Sequence, residues 1–154
     1  WTKYHSAQYL KNAEGYIRSV CSVDDSDLNN IEEVYTKSGG KFWVLEEVSE
    51  SDETNTKVVG MCGLQVLDNS DSNVGEIRRM CLLPHVRRMG WGSRMGNTCK
   101  DLARELGLTK IIVSTPEHGE DVLAFYRKLG FQDTGKRQTM HGTPVQEVFL
   151  ELLL

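Results

Sequence analysis

The spacing of apolar residues predicts two amphipathic helices in the second half of the chain. In the first helix, the apolar positions are Trp91, Met95, Cys99, Leu102 and Leu106, and Gly107 ends the run. In the second, which spans residues 116–130, they are Val122, Phe125, Tyr126 and Leu129. Both helices therefore have one side that needs a partner, and we expect a sheet to supply it.

Stretches rich in β-branched and aromatic residues predict the strands of that sheet. "KFWVLEEV" and "KVVGMCGLQVL" are separated by the polar stretch "SESDETNT" and indicate an antiparallel hairpin. "NVGEIRRMCLL" predicts the next strand, "TKIIVST" a short central one, and "FQDTGKRQTM" and "VQEVFLELLL" two closing strands. The strands and helices alternate irregularly, which indicates a mixed α/β fold.

Two further helices are predicted near the N-terminus. Residues 1–25 have apolar side chains at near-helical spacing, and we expect a helical segment there without assigning it a role. Ser26 or Asp27 is positioned to cap a second helix that runs through Tyr35. The 154 residues, 39% hydrophobic and 26% charged, then form one domain with a substantial core.

The apolar positions of the third strand do not alternate regularly. Ile77 and Met80 are separated by an odd number of residues, whereas one face of a strand repeats every two. A β-bulge near Arg78 and Arg79 reconciles the pattern, and bulges are common beside active sites. The same irregularity also arises in strands that have no catalytic role.

The stretch "VRRMGWG", residues 86–92, separates this strand from the first amphipathic helix. Glycine-rich entries into helices suit phosphates, because free N–H groups and the positive end of the helix dipole meet there. Arg87 and Arg88 add guanidinium donors. A solvated basic loop explains the same residues. A dinucleotide fold is disfavoured, since Gly90, Gly92 and Gly96 are spaced GxGxxxG rather than GxGxxG.

Charge and cysteine content exclude several classes of function. The net charge of −4 argues against a nucleic-acid binder, although arginines cluster between Arg78 and Arg94. The four cysteines form no CxxC pair and the four histidines lack metal-ligand spacing. We therefore expect reduced thiols, mostly buried, and no metal.

Two motifs in order resemble the GNAT superfamily of N-acetyltransferases. "EIRRMCLLPHVRRMGWGSRM" matches the family's Arg/Gln-x-x-Gly-x-Gly/Ala motif through Arg87, Gly90 and Gly92, and "AFYRKLGF" matches a Tyr before Leu-Gly-Phe. Residues 26–154 are covered, and "SDLNNIEEVYTKSGGKFWVLEE" is similar to the camello-like branch, whose members acetylate small amino compounds. The resemblance implies a mostly antiparallel sheet flanked by helices, with a bulged and splayed central strand. One position departs from many relatives, since Gly119 replaces an Asn that contacts the cofactor; the contact is then missing or is supplied by Thr115, Glu117 or His118.

The resemblance also implies which residues bind acetyl-CoA. Backbone groups of the third strand would contact the pantetheine arm, and the glycine-rich loop would bind the pyrophosphate. These residues are Met80, Cys81, Leu82, Arg87, Arg88, Met89, Gly90, Trp91, Gly92 and Ser93. Tyr126 would be the general acid that protonates the departing thiolate. Without the motif, Tyr126 would be interpreted as a core aromatic residue. A nucleophilic role for Cys81 is disfavoured, because no histidine is positioned to activate it.

The acceptor and the general base are less determined. Glu76 is the first candidate base, and a solvated acid that pairs with Arg78 or Arg79 is the alternative interpretation. His118 is the second candidate, and a helix-capping or surface role is favoured for it. Arg78 and Arg79 are candidates to bind a substrate carboxylate.

We expect an acetyl-CoA-dependent N-acetyltransferase that acts on a small amino-acid-like amine by direct attack in a ternary complex. The alternatives are an enzyme for protein or peptide amines and a non-catalytic acyl-CoA sensor. No apolar run long enough to cross a bilayer is present. We therefore expect no membrane contact from this chain, and a cytoplasmic monomer or homodimer. If a longer parent carries an upstream anchor, the location becomes the cytosolic face of a membrane.

Overall fold

The fold is a six-stranded sheet with two α-helices on one face and short helical turns on the other. It is seen in a computed structural model that describes residues 27–49, 55–67, 73–117, 120–139 and 146–154. The strands are β1 (Lys41–Val48), β2 (Thr56–Leu67), β3 (Val74–Leu82), β4 (Lys110–Pro116), β5 (Gln132–Thr139) and β6 (Gln146–Leu153). The helices are α1 (Trp91–Glu105) and α2 (Glu120–Lys128). The expected helix within residues 1–25 lies outside the described residues.

The sheet has the strand order β1-β2-β3-β4-β6-β5. Every neighbouring pair is antiparallel except β3 and β4, which are parallel. The predicted hairpin of β1 and β2 and the central position of β4 are confirmed, as is the mixed, mostly antiparallel sheet. The single parallel pair is made possible by α1, which provides the crossover from β3 to β4.

One main core lies between the sheet and the two α-helices. Ile77 of β3, Leu64 of β2 and Val113 of β4 meet Cys99 of α1 and Tyr126 of α2 in it, and all five side chains are buried. The expected apolar side of α2 is partly wrong, because Val122 is 41% exposed and Leu123 is buried instead. No helix in the described ranges is both long and apolar enough to span a membrane.

The predicted helix that ends at Tyr35 forms as two short turns. Residues Leu28–Asn30 are a 3-10 turn and Glu32–Thr36 a π-helical turn, packed on the opposite face of the sheet from α1 and α2. The expectation that Asp27 caps this helix is wrong, because its side chain makes no capping hydrogen bond. Its carboxylate is used in a long-range ion pair instead, and Ser26 lies outside the described residues.

The irregular alternation of β3 is a β-bulge, as predicted. Met61 pairs with Cys81 and Gly63 with Arg78, so that Arg79 and Met80 together oppose Cys62. The extra residue turns Met80 and Leu82 toward the main core, while Cys81 packs on the other face. Arg79 has φ +55°, in the left-handed region that non-glycine residues rarely adopt.

Candidate active site

An opening between β3 and β4 forms the centre of the candidate site. The two strands pair only from Val74 to Glu76, opposite Lys110 to Ile112. Beyond this point the two strands run on without pairing to each other, over residues 77–82 of β3 and 113–116 of β4. Backbone N–H and C=O groups that lose a ladder partner need another one, and an extended ligand that enters the opening can supply it.

Glu76 lies at the point where the strands separate. It is the last residue of β3 that pairs with β4, and its side chain is on the same face as Gln65 of β2 and the short helical turns. Burial raises the pKa of Glu76 above its ordinary value; Arg78 offsets part of that effect, and the carboxylates of Glu147 and Asp27 add to it. A carboxyl group with a raised pKa is suited to accept a proton near neutral pH.

The two neighbouring arginines have different surroundings. Arg79 donates from Nε and Nη2 to the two carboxylate oxygens of Asp27, and its side chain is 17% exposed. Arg78 donates to Oε1 of Gln65 at 3.1 Å, lies 4.0 Å from Asp27, and is 34% exposed. A substrate carboxylate would therefore reach Arg78 more easily than Arg79.

The loop between β3 and α1 presents a series of free backbone donors. The first hydrogen bond into α1 runs from the amide of Arg94 to the carbonyl of Gly90. Within the part of the chain that the structure describes, the amides of residues 88–93 have no backbone or side-chain acceptor. Six consecutive N–H groups at the positive end of a fifteen-residue helix make a fitting site for a pyrophosphate.

Two residues of this loop have left-handed backbone conformations. Gly90 has φ +87° and Arg88 has φ +61°. A Cβ at Gly90 would meet no atom within 4 Å, so space in front of that backbone is open. Arg87 donates from Nε to the carbonyl of Leu82 at 2.9 Å, which ties the loop back to the end of β3.

Close packing surrounds the start of α1. A Cβ at Gly92 would lie 3.2 Å from the ring of Phe125, so glycine lets α2 approach the loop. Trp91 is half-buried against the main core, and the guanidinium of Arg94 lies 5.0 Å from the centre of its ring. Met89 is 67% exposed beside them. Ser93 lies in the first turn of the helix.

The end of β3 supplies the remaining predicted contacts. Met80 and Leu82 pack on the core below the sheet, and Cys81 packs with Met61 above it. This part of β3 no longer pairs with β4, because the last paired residues are Glu76 and Ile112. Main-chain groups, rather than these side chains, therefore border the opening.

Tyr126 lies in the main core, on the helix side of the sheet. Its side chain is 5% exposed, with Phe125 and Phe131 packed edge-on at 5.1 Å and 5.6 Å between ring centres. Burial, together with the nearby thiols of Cys99 and Cys62, raises the pKa of Tyr126 well above its ordinary value. Its hydroxyl has no hydrogen-bond partner within the described ranges. A buried phenol that stays protonated and lacks a partner is free to donate to a ligand.

A separate cavity of about 420 Å³ lies between α2 and β5 and contains none of these residues. Arg137 lines this cavity and forms ion pairs with two other lining residues, Asp133 and Glu117. His118, the second candidate base, and Gly119 lie outside the described residues.

Comparison with known proteins decides the family. The sequence model of the acetyltransferase (GNAT) family matches residues 7–131. The chain is 30% identical over 128 residues to an uncharacterized N-acetyltransferase, YjgM, of Escherichia coli K12, which covers 82% of this chain and 70% of that protein.

The chain belongs to the GNAT acetyltransferase family.

This GNAT protein is an acetyl-CoA-dependent N-acetyltransferase, with acetyl-CoA as its co-substrate. The NatC complex, whose crystal structure contains CoA and a Gag peptide, has the same fold, with a TM-score of 0.83 over all of this chain and 98% of that one at 12% identity. Human N-acetyltransferase 8 is 29% identical over 72% of this chain, and the chain spans only 47% of its length. Identity at this level does not decide the camello-like branch, which stays a prediction.

The sequence patterns did not identify two parts of this acetyltransferase's site. The edge of β4 at residues 113–116 continues past the last residue that pairs with β3, and the sequence indicates only Thr115 in it, as a substitute for the contact missing at Gly119. The other sequence signal for this part of the site was the prediction that β4 is a central strand. Asp27 was interpreted as a helix cap, and no local pattern links it to Arg79, which is 52 residues away.

The free amides of the loop lead to a prediction about Gly90→Glu. A side chain and a negative charge in front of residues 88–93 should weaken CoA binding at least about 10-fold, because like charge and bulk would occupy the anion site. Isothermal titration calorimetry with CoA measures this directly.

Gly135→Glu is the matched control. Gly135 also has a left-handed φ, +75°, and open space around it, but it lies in β5 away from the loop. Its variant should bind CoA as the unmodified enzyme does. Equal affinity in Gly90→Glu would contradict the placement of the pyrophosphate.

Proposed function

We propose that the enzyme transfers the acetyl group to the primary amine of a small, amino-acid-like acceptor by direct attack in a ternary complex. The observation that supports this proposal is that β3 stops pairing with β4 at Glu76, whose carboxyl group has a raised pKa. Glu76 lies on the face of the sheet opposite the main core, and Tyr126 is buried within that core. An acceptor that approaches from the side of Glu76 would meet a thioester held between β3 and β4.

In this mechanism Glu76 accepts a proton from the ammonium group of the acceptor, and the neutral amine attacks the thioester. The nitrogen forms a bond to the acetyl carbon, and the carbon–sulfur bond breaks. The nitrogen then loses its second proton to solvent, and the phenolate left after Tyr126 protonates the thiolate takes a proton back from solvent. An α-amino group with a pKa of about 8 is roughly 10% neutral at pH 7, whereas a lysine near 10.4 is about 0.04% neutral. A carboxylate with a raised pKa, such as Glu76, suits an acceptor of the first kind, because only modest base strength is needed.

Tyr126 donates its proton to the thiolate that leaves. The raised pKa keeps the phenol protonated before the reaction, and burial excludes water that would compete for the thiolate. Thr115 of β4 also has a buried hydroxyl on the core side of the sheet beside the opening, but an aliphatic alcohol is a far weaker acid than a phenol and is less suited to protonate the thiolate. Cys62 and Cys99 lie nearby, but their Sγ atoms are 3.8 Å apart and contact each other.

Arg78 gives the acceptor site its preference for a carboxylate. Its guanidinium is on the same face as Glu76 and is partly exposed, and Gln65 orients it. A cation and a general base on one face fit an amino acid, which presents an amine and a carboxylate close together. Arg79, the other candidate for this role, is bound by both carboxylate oxygens of Asp27 and is less accessible.

Tyr126→Phe tests the catalytic role and the sensor alternative together. The variant should retain CoA affinity within about twofold, while kcat falls about 100-fold because the leaving thiolate loses its proton donor. Release of free thiol from acetyl-CoA, measured against a panel of primary amines, provides the rate. If the unmodified protein binds CoA but releases thiol with no amine in the panel, the enzyme proposal is wrong and the sensor is favoured.

Glu76→Gln should change the pH profile. A base must be deprotonated to act, so kcat/KM of the unmodified enzyme should rise with pH through the raised pKa of Glu76. In the variant that limb should disappear, leaving only the ionisation of the acceptor amine. The same thiol-release assay from pH 5 to 9 measures it, and Glu151→Gln, which removes a partner of Lys110, is the control. A profile identical to that of the unmodified enzyme would exclude Glu76 as the base.

Arg78→Gln tests the acceptor class. KM should rise about 10-fold for an amino acid and stay unchanged for the corresponding amide, which lacks the carboxylate. Steady-state kinetics with matched acceptor pairs gives both values, and Arg104→Gln on the exposed side of α1 is the control. Equal increases for both acceptors would mean that Arg78 does not bind a carboxylate.

A further inference from the structure

A buried ion pair lies directly behind the bulge of β3. Asp27 is 4% exposed, and both of its carboxylate oxygens accept hydrogen bonds from the guanidinium of Arg79. The hydroxyl of Tyr35 donates to Oδ2 of the same carboxylate at 2.7 Å. The guanidinium of Arg79 and the hydroxyl of Tyr35 therefore fix the carboxylate of Asp27. The bidentate ion pair also restricts the orientation of Arg79 more than a single hydrogen bond would.

The residue held by this pair has a backbone that needs support. At φ +55°, the backbone of Arg79 has a higher conformational energy than that of a glycine at the same position would have. Such conformations persist where the surrounding structure enforces them, and they concentrate at functional sites. The side chain of Arg79 provides that enforcement, because its guanidinium is anchored to a segment outside the sheet.

The partner strand is held by the same group of residues. Tyr35 is fully buried and packs against Gly63, where a Cβ would lie 2.4 Å from its ring. Gly63 follows Cys62, the residue of β2 that the bulge opposes. Asp27 and Tyr35 thus contact both strands of the bulge from one side.

The bulge is also close to the place where β3 leaves β4. Glu76 is the last residue of β3 that pairs with β4, and Arg79 lies three residues further along the strand. We propose that Asp27 is a positioning residue: its pair with Arg79 holds the bulge in β3 and thereby keeps the β3–β4 opening in the shape that receives acetyl-CoA. This inference rests on the proposed placement of the thioester between the two strands.

The pair also separates the roles of the adjacent arginines. Arg78 lies 4.0 Å from Asp27 and bonds Gln65, so Asp27 compensates part of its charge while leaving it at the surface. A free Arg79 would compete with Arg78 for an acceptor carboxylate. Because Asp27 holds Arg79, Arg78 is the one of these two arginines that is left to face the acceptor.

Asp27→Asn removes the charge with little change in shape. Calorimetry should show CoA binding weakened at least about 10-fold under conditions where urea titration shows the variant fully folded. Asp101→Asn, which removes the carboxylate partner of the exposed Arg104, should leave affinity unchanged. Tyr35→Phe keeps the ring on Gly63 and should weaken binding less than Asp27→Asn does.

The double variant Asp27→Asn/Arg79→Gly is the decisive measurement. Glycine adopts a positive φ freely and leaves no buried unpaired guanidinium. If the pair acts by holding the bulge, the double variant should recover much of the lost CoA affinity. If Arg79 instead contacts a ligand, the double variant should bind no better than Asp27→Asn, and the proposal is overturned.

Hydrogen exchange of β3 separates this inference from the proposed function. Asp27→Asn should speed exchange of the amides of residues 77–82, and the double variant should slow it again. These changes are expected even if the unmodified protein releases no thiol, which would count against the catalytic proposal alone. Unchanged exchange together with unchanged CoA affinity in Asp27→Asn would overturn the positioning role.

Discussion

The loss of pairing between β3 and β4 is the constraint on which the rest of the site depends. A parallel pair of strands normally continues to the end of the shorter one, yet here it stops at Glu76 and Ile112. The sheet survives because β3 remains paired to β2 over nearly its whole length, and β4 is paired to β6 over all of its own. The protein therefore tolerates an internal row of unpaired backbone groups, which ordinarily carry a free-energy cost. A ligand that hydrogen-bonds to them offsets that cost.

The alternation of side chains along β3 distributes the chemistry over two faces. Glu76 and Arg78 lie on one face, and Ile77 between them lies in the main core. The bulge then reverses the alternation, so that Met80 and Leu82 return to the core side. Because of this, Glu76 and Arg78 lie on the face opposite the α-helices, while Tyr126 lies between the sheet and those helices. In the proposed mechanism, attack from one face and protonation from the other would follow from this alternation and the one extra residue.

Much of this architecture could be predicted from the sequence, because the signals are local. The strand stretches, the amphipathic pattern of α1 and the broken spacing of Ile77 and Met80 each lie within a short window. The role of Asp27 could not, since its partner Arg79 lies 52 residues away and a capping aspartate looks the same in sequence. Nor could the sequence show that Val122 is exposed and Leu123 buried, because the side of a short helix that faces the sheet depends on how the helix is rotated against it. The roles predicted for Tyr126, Glu76 and the glycine-rich loop rest on motifs and stay predictions.

The two left-handed non-glycine residues among those described delimit one continuous segment. Arg79 and Arg88 begin and end a stretch that contains the end of β3, beyond its pairing with β4, and the start of the loop between β3 and α1. Arg79 is fixed by Asp27, and Arg87 is tied to the carbonyl of Leu82, so both ends are anchored by side-chain hydrogen bonds. Backbone strain at these positions is a cost already met by the folded protein. A ligand that binds along the segment then loses less free energy to ordering it, because the folded protein already holds the segment in one conformation.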